Sequence, residues 1–172
     1  MLNIETFIRD VPDFPKPGIV FKDITPLLRD PAALAMAVEL MASPFRGKGV
    51  QYVVGTESRG FIFGTAIAQS LSAGFIPLRK PNKLPWKTKS ISYHLEYGSD
   101  AIEMHEDAVE PDSKVLMVDD LLATGGTMKA SCDLVEGAGA NIVGVTVLIE
   151  LTFLDGKQRL EPYDNVHAVL KY

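Results

Sequence analysis

The stretch Val115–Thr127, VLMVDDLLATGGT, constrains the fold more than any other part of the chain. It joins four consecutive apolar residues, Val115–Val118, to an acidic pair, Asp119 and Asp120, and then to a turn of small residues, Ala123–Thr127. A short uninterrupted apolar run suits a strand buried on both faces. Met128, Cys132 and Val135 follow at helical spacing, with Gly137 and Gly139 placed to stop the helix. Ile142–Ile149 is a second apolar run. Strand, turn, helix and strand in that order make a βαβ unit, the building block of a parallel sheet flanked by helices. Ligands of such sheets gather at the carboxyl ends of the strands, which is where the acidic pair and the turn fall.

The turn has its own chemistry. Ala123, Thr124, Gly125, Gly126 and Thr127 can aim several backbone N–H groups and two hydroxyls at one point, where the helix dipole also favours negative charge. A phosphate is the expected occupant. No lysine follows the glycines as in a Walker A loop, and the spacing is not GxGxxG, so nucleoside triphosphates and dinucleotides are poor matches. Asp119 and Asp120 repel phosphate and require hydroxyls or a cation, both of which a ribose phosphate with a divalent metal supplies. A second loop, Gly55-Thr56-Glu57-Ser58-Arg59-Gly60, again lies between a strand and a helix, and Arg59 can fork two hydrogen bonds onto phosphate oxygens.

The same alternation runs through the rest of the chain. Tyr52–Val54 and Phe75–Leu78 read as strands, with Phe63, Ile67 and Leu71 marking a helix between them that Gly74 closes. Asp30 before Pro31 reads as an N-cap and first helical residue, and Leu34, Val38 and Met41 give that helix an apolar face reaching to about Phe45. Pro12, Pro15, Pro17 and Pro26 predict an extended arm ahead of it. Arg79–Ser92, RKPNKLPWKTKSIS, predicts a long basic loop, with Lys80, Lys83, Lys87 and Lys89 around Trp86 inviting an anionic ligand. Ser92–Tyr97 and Ala101–Val109 read as a strand pair joined at Gly98-Ser99-Asp100. Met104, Met117 and Met128 read as core, and His94, His105 and His167 show no ligand spacing.

Composition narrows the class. In 172 residues, 17 Lys and Arg stand against 22 Asp and Glu, a formal charge of −5 that disfavours a nucleic-acid binder. The length suits one domain, 1–172, that includes the N-terminal arm segment, 1–30, and the segment carrying the basic loop, 79–97. A lone cysteine, Cys132, excludes an internal disulfide and fits a reducing compartment. The N-terminal residues lack the basic end and apolar core of a secretory signal, and no apolar run nears the ~18 residues of a membrane span. A cytoplasmic protein without membrane or nucleic-acid partners is expected.

The string VDDLLATGGTM resembles the phosphoribosyl-diphosphate (PRPP) signature of the type I phosphoribosyltransferases. With FPKPGIVFKDITPLL (Phe14–Leu28), ESRGF and LEYG, the chain is similar to the adenine phosphoribosyltransferases over nearly its whole length. The resemblance implies a mostly parallel twisted sheet flanked by helices, an N-terminal hood and a flexible lid. It also implies transfer of a phosphoribosyl group from PRPP to adenine, giving AMP and pyrophosphate in purine salvage. It assigns Asp119 and Asp120 to the ribose hydroxyls and Ala123–Thr127 to the terminal phosphate. Glu57, Ser58 and Arg59, with a cis Glu57–Ser58 peptide, and Arg79, Lys80 and Lys83 go to pyrophosphate. Phe21 can stack on a planar base while the backbone at Val20 and Lys22 offers it one acceptor and one donor, and Leu121 closes the other face. Glu96, beside Tyr97, brings the acid–base group, and Mg²⁺ rides in on the diphosphate, near Asp119 and Asp120 without a certain protein ligand. A homodimer is implied, with Arg79 reaching toward the other subunit's site. Two alternatives stay open: an enzyme of the same fold acting on a 6-oxopurine or another base, and a non-catalytic PRPP-sensing regulator. The second would need an added nucleic-acid module and a basic face.

Overall fold

The computed structural model describes residues 2–94 and 99–172, and the chain forms two units, residues 1–40 and 41–172. In the first, strands β1 (Arg9–Pro12) and β2 (Val20–Asp23) pair antiparallel, Val11 opposite Phe21 and Asp10 opposite Lys22. The proline-rich arm is thus a hairpin, not simply extended chain. Pro12 ends its strand and Pro15 and Pro17 lie in the connection, where no ladder donor is lost. The connection turns through Gly18 at φ 86°, whose N–H donates to Asp13 Oδ1 at 2.8 Å.

The arm's far end is helical. Helix α1 (Thr25–Arg29) takes Pro26 in its first turn, and Asp23 Oδ1 accepts from Thr25 N at 2.9 Å. Asp30 Oδ1 then accepts from Ala32 N at 3.0 Å and Ala33 N at 2.9 Å, capping helix α2 (Pro31–Ala42) as expected. A 3₁₀ turn, Ser43–Phe45, completes the segment. The buried line of α2 is Ala33, Ala37 and Met41, with Leu34 and Val38 only half-buried. Side-chain size pointed one position away from the true inner face, because small residues mark where a helix lies close to its surroundings.

In the second unit, strands β3 (Tyr52–Thr56) and β4 (Gly74–Leu78) flank helix α3 (Gly60–Leu71). Strands β5 (Thr88–His94) and β6 (Ser99–His105) form an antiparallel hairpin. Strand β7 (Lys114–Leu122), helix α4 (Gly126–Glu136) and strands β8 (Asn141–Glu150) and β9 (Val166–Lys171) complete the order. The sheet runs β4-β3-β7-β8-β9, every pairing parallel. Among the described residues no helix is long and apolar enough to cross a membrane.

Five boundaries differ from the sequence reading. Ser72, in the left-handed region at φ 55°, ends α3 instead of Gly74. Gly74 opens β4, and a Cβ there would lie 2.8 Å from the Tyr52 ring. The basic loop stops at Lys87, since Thr88–Ser92 already pair with His105–Ala101, and Ser99 and Asp100 belong to β6. Strand β6 ends at His105, short of Val109. Strand β7 runs on through Leu122, so the acidic pair lies inside a strand, held by pairing of Asp119 with Val147 and Leu121 with Ile149.

Strand alternation sorts the core into two layers. Val54, Ile76, Met117, Val145 and Val147 face Met128, Cys132 and Val135 of α4 and Ile102 and Met104 of the hairpin. On the opposite face Gly55 and Phe75 meet α3, whose Gly64 leaves room for the Phe75 ring. Burial pushes the Cys132 thiol up to about 12, in keeping with a packing role. His105 Nε2 accepts from Trp86 N at 3.4 Å, and His167 lies on β9.

Candidate active site

The strand order places the site. From β3 the chain crosses to β4 on one side, and from β7 it crosses to β8 on the other, so the carboxyl ends of the adjacent β3 and β7 form the switch point of the sheet. A cleft of about 300 Å³ opens there, lined by Thr56–Arg59 from the end of β3 onward and Asp119–Met128 from the end of β7 onward, with Lys80, Tyr93 and Asp100. The two loops singled out in the sequence therefore share one cavity.

The acidic pair lies on its floor. Asp120 N donates to the Asp119 carboxylate at 2.8 Å, and Arg59 Nη2 lies 2.8 Å from Asp120 Oδ2. The Arg59 contact is an ion pair set off the N–H direction, so it supplies charge without a linear hydrogen bond. Burial raises the Asp119 carboxyl well above the ordinary Asp value of 3.8, and the neighbouring Asp120 charge adds to the rise. Asp120 is raised too, by burial, against the pull of Arg59. Gly60 makes this packing possible: a Cβ there would meet Asp119 Oδ1 at 2.9 Å and Val118 O at 3.2 Å.

The turn Ala123–Thr127 lies where strand β7 passes into helix α4 and lines the cleft. Gly125 adopts φ 79°, and Gly126 starts α4, so the first N–H groups of an eleven-residue helix open toward the cleft. Lys129 N closes the first turn on Gly125 O at 2.9 Å. The Glu57–Ser58 peptide is cis. The Glu57 carboxylate accepts from Lys80 N at 2.9 Å and Arg79 Nε at 3.3 Å, and these bonds, Lys80 N first, lower its pKa. Its loop therefore offers an incoming anion Ser58, Arg59 and backbone N–H groups, while the Glu57 side chain pins the basic segment.

That segment divides. Lys80 lines the cleft, its Nζ bonded to Asp100 Oδ2 and, at 3.2 Å, to Tyr93 OH. Burial works against the Lys80 charge, but the Asp100 and Tyr93 bonds outweigh it and its pKa is raised. Arg79 Nη1 donates to Lys83 O at 3.1 Å, and the Arg79 backbone bridges to Glu103. Arg79 and the exposed Lys83 do not line the cleft. Leu121 does.

Val20, Phe21 and Lys22 lie together on β2 in the N-terminal unit. Phe21 meets the Phe14 ring edge-on at 5.2 Å, and Lys22 Nζ lies 2.7 Å from Asp10 Oδ1. Glu96 and Tyr97 are outside the described residues. Sequence reasoning missed Thr56, Tyr93 and Asp100. The buried Thr56 hydroxyl, without a hydrogen-bond partner among the described residues, borders the cleft. Only the true register of the hairpin would have revealed Tyr93 and Asp100. Among the described residues no three Asp, Glu, His or Cys side chains group as a metal cage. Two carboxylates, one of them ion-paired, fit a Mg²⁺ held largely by substrate oxygens and water.

Comparison with known proteins agrees with this geometry. A model of the phosphoribosyl transferase domain matches residues 25–171. The chain belongs to the phosphoribosyltransferase family. Among its phosphoribosyltransferase relatives, an adenine phosphoribosyltransferase of Symbiobacterium thermophilum is 58% identical over 98% of this chain and 99% of its own length. The adenine phosphoribosyltransferase structure from Rhodothermus marinus is 53% identical, with TM-score 0.93, covering 98% of this chain and 96% of that one. A Saccharomyces cerevisiae adenine phosphoribosyltransferase, solved with adenine and an imino-altritol bisphosphate, is 38% identical with TM-score 0.89, covering 97% and 96%.

Proposed function

We propose that the chain, a cytoplasmic homodimer, transfers the phosphoribosyl group of PRPP to adenine, giving AMP and pyrophosphate. One observation carries this reading: a single cleft holds two loops suited to anions, with a half-buried carboxylate, Asp119, and a buried one, Asp120, between them. A ribose with phosphate at one end, diphosphate at the other and hydroxyls between matches that order. The yeast relative bound to adenine supports the choice of base.

In the mechanism, the N–H groups of Ala123–Thr127 and the Thr124 and Thr127 hydroxyls hold the 5′-phosphate. Asp119 and Asp120 accept from the ribose hydroxyls and favour the positive charge that develops as the bond from C1′ to the diphosphate breaks. Arg59, Ser58 and Lys80 take the departing diphosphate, with Arg79 and Lys83 shaping the segment that carries Lys80. Asp119 and Asp120 would lie near a Mg²⁺ brought in with the diphosphate, which would supply charge neutralisation for the leaving group. Leu121 flanks the base in the cleft. Phe21 offers the adenine ring an aromatic face, and Val20 and Lys22 offer backbone groups to its edge. Glu96 is assigned to the proton inventory of the purine. The segment 79–97 serves as a lid, since an oxocarbenium-like centre must be kept from water.

The test is pyrophosphate release from PRPP and magnesium with adenine, hypoxanthine, guanine, xanthine or orotate offered separately. Release with adenine alone is expected. Release with a 6-oxopurine instead would reassign the base-reading segment and keep the phosphate loops, whereas PRPP binding without release would turn the site into a sensor.

The raised Asp119 pKa gives a second test. Holding ribose hydroxyls needs the ionised pair, and protonation starts at a higher pH than for an ordinary Asp. So kcat/KM for PRPP is expected to fall, as pH is lowered, at a pH clearly above 3.8. Asp119→Asn should lose most activity and move the remaining acid limb, then set by Asp120, to lower pH, and a limb at or below 3.8 in the wild type would rule out the assignment.

A further inference from the structure

The floor of the phosphate turn is made by a residue thirty positions away in sequence. Gly156 opens a 3₁₀ turn, Gly156–Leu160, and is buried although Asp155 and Lys157 beside it are exposed. Asp155, at φ 51°, reverses the chain into this turn, and Leu160, 0% exposed, anchors it in the core. A Cβ on Gly156 would lie 2.1 Å from Ala123 O and 2.8 Å from Gly125 N. The fit is reciprocal, because a Cβ on Gly125 would lie 2.3 Å from Gly156 O. Two backbones thus meet with no room for a side chain on either. Ordinary contact begins at 3.4 Å, so a methyl group at 156 requires the two backbones to separate by more than 1 Å. The Ala123–Gly125 backbone faces Gly156 on one side and lines the cleft on the other. Any yielding there re-aims the N–H groups that the phosphate needs.

From this packing we propose that Gly156 is a positioning residue for phosphoribosyl transfer: its lack of a side chain sets the path of Ala123–Gly125 and so the aim of the 5′-phosphate donors. The inference rests on the reading of that turn as a phosphate site. Misplacing a binding group by about 1 Å can cost ~100-fold in rate, so the effect of Gly156→Ala should be large and confined to the phosphate.

The experiment compares dissociation constants of AMP and adenosine, which share base and ribose and differ in the phosphate, for wild type and Gly156→Ala, alongside Tm and the KM for PRPP. Wild type should bind AMP more tightly than adenosine. In Gly156→Ala, AMP binding and the KM for PRPP should each worsen about tenfold or more while adenosine binding is unchanged. Equal AMP and adenosine affinity in the wild type would overturn the phosphate reading itself. A wild-type preference for AMP that survives intact in Gly156→Ala, whatever happens to Tm, would overturn the role of Gly156. Should the variant fail to fold, Leu160→Val loosens the same turn without adding an atom near the loop, and a selective loss of AMP over adenosine binding is again expected. Its absence there counts against the proposal.

Discussion

Asp119→Asn combined with Asp120→Asn is expected to lower PRPP turnover by about a thousandfold or more while leaving the protein folded. Removing one preorganised electrostatic group typically costs ~10²–10³ in rate, and the two act as a unit, so the double loss should not greatly exceed that of the worse single change. Stability should move the other way. The Asp119 pKa is raised by burial above the ordinary 3.8, so the fold favours its proton-bound form. The stability that this preference brings is complete below pH 3.8 and is lost as pH rises through the raised value. At neutral pH the buried charge is therefore a burden, and Asn at 119 lifts it while keeping shape. At 120 the gain is smaller, because Asn removes the carboxylate charge that Arg59 Nη2 meets at 2.8 Å, although that arginine side chain is 34% exposed and can be solvated. Higher Tm at neutral pH for Asp119→Asn, with near-zero pyrophosphate release, would mark a site whose chemistry is kept at the expense of stability. Wild-type turnover in the double variant would remove the pair from the mechanism.

Local chemistry made most of this site legible. The turn Ala123–Thr127, the acidic pair and the Arg59 loop, which share one cleft, each stood out through residue types within a few positions, and the parallel sheet followed from the apolar runs on either side. What escaped was set by contacts distant in sequence. Tyr93 and Asp100 reach the cleft only through the register of an antiparallel hairpin, and alternation in SISYH and SDAIEMH is too imperfect to fix that register. Strand β9 is half-buried from Val166 to Leu170 and its apolar run is only the three residues Ala168–Leu170, so its pairing with β8 defines it. Glu57 read as a pyrophosphate ligand because it lies in the loop, yet its carboxylate is satisfied by Lys80 N and Arg79, more than twenty residues on. Gly156 gave no local sign at all, since its importance lies in what it would strike.

The largest loss of stability is expected from Gly64→Val, at the contact that sets α3 against the sheet. A Cβ at Gly64 would lie 2.6 Å from Phe75 Cε2. The ring cannot retreat toward β3, because a Cβ direction at Gly55 already points to within 2.7 Å of the same carbon, and Phe61 meets the ring edge-on at 5.7 Å. Helix propensity alone would favour replacing a glycine here, by up to about 1 kcal/mol for alanine. Overpacking opposes it with typically 1–3 kcal/mol and more when the neighbour is confined, so valine, larger and with no propensity to offer, should cost at least 3 kcal/mol. The alternative is that α3 moves outward, carrying Gly60 from Asp119 and Arg59 from Asp120. Either way stability and the site suffer together. A double-mutant cycle with Phe75→Ala isolates the contact: each change alone destabilises, while together they cost less than their sum by roughly 1–3 kcal/mol. Denaturant unfolding of the four proteins measures this coupling, and strictly additive losses would show that Gly64 is not there to admit the Phe75 ring.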